Sequence, residues 1–290
     1  MQEILMYEKS KKPSLTSGRF SFFLRVLHSI SGIAFTFFLC EHLLTNFLAS
    51  SLGGGGKFFV ALVDRFHSIP GLKFIEICCL ALPFGIHAVI GIVYAINGKF
   101  NIYSRDGSSP ACNFARNHAY VWQRITAWVL LLSVGLHVIH MRFVLYPSKV
   151  EWSGKTYYAV KALGRQVVPT VGRGAEYHVL VQKQRLALPH ELEENLANET
   201  VLILTSSAGK AFHYIVKKAL SSLWVAILYT VLVLASVFHG FNGLWTFCSR
   251  WGIVETDKQQ KILRLGIYGL IIPLFSFLGV YTVWNLYFSF

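Results

Sequence analysis

Five apolar runs divide the chain, at residues 22–48, 72–96, 119–145, 219–247 and 262–288. Each exceeds the roughly 20 residues that a helix needs to cross hydrocarbon. The pattern predicts five transmembrane helices and an all-α integral membrane protein. Residues 146–218, between the third and fourth runs, are polar. Their pieces TYYAV, YHVLV and TVLILT alternate like short strands, and HELEENL reads as a helical turn. The expected organisation is an N-terminal arm (1–21), helices one to three (22–145), an extramembrane insert (146–218) and helices four and five (219–290). No internal repeat is visible.

Composition agrees: 54% of the 290 residues are hydrophobic and 14% charged, where a soluble domain carries about a quarter charged. The arm MQEILMYEKSKKPSLTSGRF lacks an apolar core, so no cleavable signal is expected and the first helix serves for insertion. The net charge of +13 reads as basic helix flanks. Without a basic stripe interleaved with aromatics, nucleic acid is not an expected partner, whereas the lipid bilayer is. Cys40, Cys78, Cys79, Cys112 and Cys248 form no C-x-x-C or C-x-x-C-H, which excludes a zinc knuckle and covalent haem attachment.

Lysine and arginine in short loops set orientation. The arm carries Lys9, Lys11, Lys12, Arg19 and Arg25. The second loop carries Lys99, Arg105 and Arg116, and the fourth Arg250, Lys258, Lys261 and Arg264. The first loop has Lys57, Arg65 and Lys73 alone. This bias predicts a cytoplasmic N-terminus and an insert on the outside.

Four histidines lie deep in four different apolar runs: His42, His87, His137 and His239. An ionisable group at membrane depth is costly and points to function. Helices one and three run outward, two and four inward. His42 and His137 lie 6 and 8 residues before their outer ends, and His87 and His239 lie 9 and 8 before their inner ends. The two layers are about 15–18 Å apart at 1.5 Å per residue. Each layer offers two imidazoles from facing helices, as bundle cofactor sites do. The matching chemistry is a pair of non-covalent, bis-histidine b haems, closed to oxygen and suited to electron transfer. Gly32, Gly85, Gly91, Gly135, Gly240 and Gly243 would give a flat macrocycle room, or serve ordinary helix packing.

Other residues carry weaker readings. His28, one turn into helix one, is a candidate for a haem propionate or a quinone. Arg25 and Arg124, near the same ends of helices one and three, are candidates for propionates of an inner haem or for lipid headgroups. His140 lies on the same helix face as His137 and rivals it as a ligand. Glu41 and Glu76 are the acidic residues within the runs, with proton relay or structural bonding as readings. His67, His118, His178, His190 and His213 read as loop or interfacial residues.

The local motifs RVLHSISG, EHLLTNFLA, HSIPGLKFIEI with LPFGIHAVIG, WQRITAW followed by HVIHMR, and VFHGFNGLWTFCSRWGI resemble, in order, those of one family. It is the five-helix, di-haem cytochrome b membrane-anchor subunit of succinate dehydrogenases and fumarate reductases, of the succinate:menaquinone oxidoreductase type. The resemblance covers about residues 19–147 and 211–290. It implies His42 with His137 and His87 with His239 as haem ligands, the same pairs that depth selects. It also implies a flavoprotein and an iron–sulfur subunit docked on the cytoplasmic face, menaquinone as electron carrier, and no succinate site on this chain.

Two departures stand out. The connection between helices three and four is far longer than the family's short link. Some fumarate reductases of this type carry a glutamate for a proton path where this chain has Val237. Competing readings are the cytochrome b subunit of a hydrogenase or formate dehydrogenase, a proton-coupled transporter, and a haemless structural anchor.

Overall fold

The computed structural model describes residues 18–98, 115–152, 154–162, 177–181 and 201–289. Lys9, Lys11, Lys12, Lys99, Arg105, Cys112, His190 and the HELEENL segment lie outside the described residues. Among the described residues, five helices are long and apolar enough to cross a membrane: α1 (Gly18–Phe47), α3 (Leu72–Ile96), α4 (Ala115–Val144), α6 (Leu223–Arg250) and α7 (Asp257–Phe288). Their outward side chains are hydrocarbon, among them Phe37, Val89, Leu132, Leu228 and Phe277, as a lipid environment requires. The fourth span starts at Leu223 rather than at residue 219, because Ser221 and Ser222 separate it from a shorter helix, α5 (Ala208–Leu220).

Three spans contain a π-helical turn, at Ile77–Ala81, Ile139–Val144 and Ile267–Ile271. Each precedes a proline. Pro83 and Pro273 sit in the first turn of the resumed α-helix, and Pro147 follows the third span. Proline lacks an N–H and its ring clashes with the carbonyl four residues back. A wider turn there absorbs the lost bond without breaking the span.

α6 is the hub. Against α1, Gly240 lets the backbones meet: a Cβ there would lie 3.1 Å from Leu39. Against α7, a Cβ on Gly279 would fall 2.5 Å from Val233. Against α4 and α7 the tie is polar. Asn242, 1% exposed, donates to the Ala119 carbonyl (3.0 Å) and to Gln123 (2.5 Å) and accepts from the Tyr268 hydroxyl (2.6 Å). A fully paired network of this kind fixes helix register where water cannot substitute.

The insert folds at one end of the bundle. Strands β1 (Ser148–Trp152), β2 (Lys155–Ala162), β3 (Tyr177–Val181) and β4 (Val201–Thr205) form an antiparallel sheet in the order β1-β2-β4-β3. The three alternating sequence pieces fall on β2, β3 and β4. Val160 packs with Ala211 and Ile215 of α5, against Met141 and Leu145 at the end of α4. α5 lies on α2 (Lys57–His67), a short helix in the first loop. Gly209 permits contact so close that a Cβ would strike the Val60 carbonyl. Asp64 caps α5, accepting from the Ser207 hydroxyl (2.7 Å) and the Gly209 N–H (2.8 Å). His213 on α5 approaches the Ala49 carbonyl at 3.4 Å.

The Asp64 cap should hold the insert to the first loop. Asp64→Ala should cost about 0.5–2 kcal/mol locally and speed amide exchange at the start of α5, with α6 unchanged. Equal protection in both proteins would show that the cap is dispensable. Burial, aided by Lys217, pushes the His213 pKa below its usual 6.5, while the Ala49 carbonyl opposes the shift. The unfolded state then binds more protons, so His213 contributes stability above about pH 6.5 that is lost on acidification. Protection of the α5 amides, corrected for the pH dependence of intrinsic exchange, should therefore fall as the pH drops below about 6.5, and His213→Gln should flatten that fall.

Candidate functional site

The four deep histidines meet in two pairs. The His42 and His137 ring centres are 6.0 Å apart at 79°. Those of His87 and His239 are 6.3 Å apart at 89°. Two metal–imidazole bonds of about 2.0 Å, plus roughly 1.1 Å from nitrogen to ring centre, put trans imidazoles about 6 Å apart. Both pairs have that spacing. Among the described residues no three His, Cys, Asp or Glu converge as a bare ion would need. Two imidazoles per site suit a metal that brings its own equatorial donors.

The pairs lie at different levels. The Nδ1 of His87 bonds the His28 carbonyl at 3.0 Å, and its ring lies where a Cβ on Gly32 would be, 2.7 Å away. That level on α1 is 10 to 14 residues from His42, or about 15–21 Å. The spacing matches the expected separation of layers.

Three of the four histidines have Nδ1 engaged and Nε2 left for a ligand bond. His87 Nδ1–H donates to the His28 carbonyl. His239 Nδ1 meets the Thr126 hydroxyl at 3.2 Å. That hydroxyl gives its own proton to the Trp122 carbonyl at 2.8 Å, so it accepts from His239. His137 Nδ1 meets the Tyr229 hydroxyl at 3.2 Å. A metal-binding histidine has its second nitrogen held in this way, which fixes tautomer and ring plane. Gln123 adds a bond of 3.0 Å to the His239 carbonyl and links that histidine to the Asn242 network. Beside His42, Phe38 stacks at 5.3 Å and Asn46 bonds the His42 carbonyl at 2.8 Å.

His28 stacks on His87, with ring centres 4.1 Å apart and planes 8° apart. Its Nδ1 is buried with no hydrogen-bond partner among the described residues. Arg124 is 9% exposed; it donates to the Tyr94 carbonyl at 3.0 Å and lies 4.2 Å over the Tyr120 ring. It fills the space above Gly98, where any Cβ would collide with it. Arg25 is exposed on α1. Of the glycines, Gly32 and Gly91 face the imidazole stack, Gly240 serves helix packing, and Gly85 and Gly135 meet nothing within 4 Å.

At the insert end, Glu76 pairs with Arg142 at 3.4 Å, and Glu41 accepts from the Thr45 hydroxyl at 2.6 Å. His140 reaches the hydroxyl of Tyr229 at 3.3 Å, so it neighbours His137 without replacing it in the pair with His42. His67 bonds the Val63 carbonyl within α2, His213 belongs to α5, and His118 is exposed. Sequence reasoning missed Tyr229, Thr126, Gln123 and Asn242 as supports. Gln123, Thr126 and Asn242 lie inside the family-like motifs. Tyr229 carries no local signal, because its partners are on another helix.

Two comparisons bear on this arrangement. The family model for the succinate dehydrogenase/fumarate reductase transmembrane subunit matches residues 7–112, the stretch that holds His42 and His87. The succinate dehydrogenase cytochrome b558 subunit of Bacillus subtilis (strain 168) is 28% identical over 247 residues, 85% of this chain and 88% of that protein. The chain is thus similar over 85% of its length to a cytochrome b subunit of a succinate dehydrogenase, and the family model covers its first two spans with His42 and His87.

Proposed function

We propose that this chain anchors a succinate dehydrogenase in the cell inner membrane and passes electrons between its iron–sulfur subunit and menaquinone through two b haems. The observation that supports it best is the pairing of four membrane-depth histidines at ligand spacing, on two levels, with Nδ1 held in three of them. His87 and His239 would hold the inner haem, and His42 and His137 the outer, and each haem would supply a one-electron couple.

The protein's own groups do the rest. The His28 carbonyl and Thr126 orient the inner ligands. The His28 ring backs His87, and Arg124 offers a buried cation on the same helix ends for a propionate. Arg25, exposed one turn before His28, is a second candidate for that role or for lipid headgroups. The loop charges support a cytoplasmic N-terminus, and the flavoprotein and iron–sulfur subunits dock on that face in this reading. The insert, residues 146–218, is then an outside domain. Menaquinone reacts at the outer layer near His42. This chain performs no succinate chemistry. A hydrogenase-type cytochrome or a transporter would not account for the family match.

Reduced-minus-oxidised absorbance of the purified complex should give two low-spin b haems per chain. A well-folded preparation with none would overturn the electron-transfer reading. His87→Ala and His239→Ala should each lose the same haem, and the double variant should lose no more than either. His42→Ala and His137→Ala should lose the other. Two haems with unchanged spectra in His87→Ala would overturn the ligand map.

A further inference from the structure

The two layers differ in what accepts the proton side of their ligands. In the inner layer the acceptors are a backbone carbonyl and a hydroxyl whose proton is already committed to backbone. In the outer layer the acceptor is Tyr229, and its hydroxyl faces a second imidazole. His137 Nδ1 lies 3.2 Å from that oxygen and His140 Nδ1 3.3 Å from it. The tyrosine ring stands edge-on to both, with centres 5.3 and 6.3 Å away.

One hydroxyl has one proton to give as well as lone pairs to accept with, so Tyr229 donates to at most one of the two imidazoles. Resting on the haem reading above, His137 gives its Nε2 lone pair to iron and therefore carries its proton on Nδ1. That N–H donates to the Tyr229 oxygen. The tyrosine proton then goes to His140 Nδ1, which leaves the His140 proton on Nε2.

Helix geometry makes the arrangement possible. The π-helical turn begins at Ile139, between the two histidines, and its Leu145 N–H bonds the His140 carbonyl at 3.0 Å. π turns of this sort recur at functional sites. Here the turn presents His140, half-buried near the end of α4, to the hydroxyl that already serves His137.

We infer that Tyr229 is a positioning residue for the outer haem ligand, polarised by His140, and that together they set that haem's ligand field and potential. An N–H that donates to a good acceptor makes its imidazole a stronger electron donor and favours the oxidised metal. The second hydrogen bond, from tyrosine to His140, polarises the hydroxyl and strengthens the first. Among the described residues no tyrosine–histidine contact of this kind reaches the inner pair, so the effect should be confined to one haem.

The test uses the assembled complex, with potentiometric titration and electron paramagnetic resonance of both haems. Tyr229→Phe keeps the ring and removes only the hydroxyl. Both haems should remain bound. One should become easier to reduce, by up to about tenfold in its equilibrium, or about 59 mV for one electron, with a shifted low-field g value, while the other stays put. His140→Leu should move the same haem in the same direction by less, and His140→Gln, which keeps an acceptor, should restore it. Unchanged potentials and spectra in a di-haem Tyr229→Phe protein would overturn the inference and leave the haem reading intact. A shift in Tyr229→Phe with none in His140→Leu would overturn the part assigned to His140. A wild-type complex without haem would overturn the underlying reading instead.

Discussion

In hydrocarbon an imidazole must satisfy two nitrogens without water. Leaving one unpaired costs on the order of a few kcal/mol, and four such rings would unsettle a bundle whose helices otherwise meet through small residues and dispersion. That constraint organises this molecule. His87, His137 and His239 each give Nδ1 to a group on another helix: a backbone carbonyl on α1, a tyrosine on α6, a threonine on α4. Each bond is also an interhelical tie. The supports have supports of their own, since Gln123 bonds the His239 carbonyl and is held by Asn242, which Tyr268 holds in turn. Fixing the paired histidines and fixing the helix register are one task here.

The spans, the four ligand candidates and their pairing were legible because they depend on coarse quantities: run length, helix direction and depth. A layer match tolerates errors of a few residues in helix ends. The supports were not legible, because they depend on azimuth. Nothing in the sequence around Tyr229 says that its hydroxyl points at α4, or that a π turn will bring His140 to it. Arg124 shows the same limit. Its depth on α4 made it a candidate for a propionate, while its contacts to the Tyr94 carbonyl and the Tyr120 ring follow from how α3 and α4 face one another. The stack of His28 on His87 likewise needs a rotational phase that periodicity leaves free.

The insert shows a different kind of legibility. Three of its four described strands announced themselves by alternation, but β1 and the attachment of the sheet did not. The sheet docks through α5 on α2, two short amphipathic helices that sequence reading took for loop or for the start of a span. Both were hidden by adjacent long apolar runs, which dominate any window. The join is made of specific contacts, Asp64 to the α5 N-terminus and Gly209 to the Val60 backbone. The insert is thereby built onto the first loop and the end of α4, the same end of the bundle that holds the His42 pair.

This placement bears on protons. The glutamate that some relatives use for a transmembrane proton path is replaced by Val237, which is fully buried within the apolar core. A methyl-lined position cannot carry a proton, and a water there would have no polar partners. Besides the Asn242 network and the groups around His87 and His239, a further set of polar groups lies toward the insert end: the Glu76–Arg142 pair, the Glu41–Thr45 bond and the His140–Tyr229–His137 contacts. On the proposed reading this is the side at which menaquinone reacts. Protons released or taken up there have polar side chains within reach on that side, and hydrocarbon surrounds Val237.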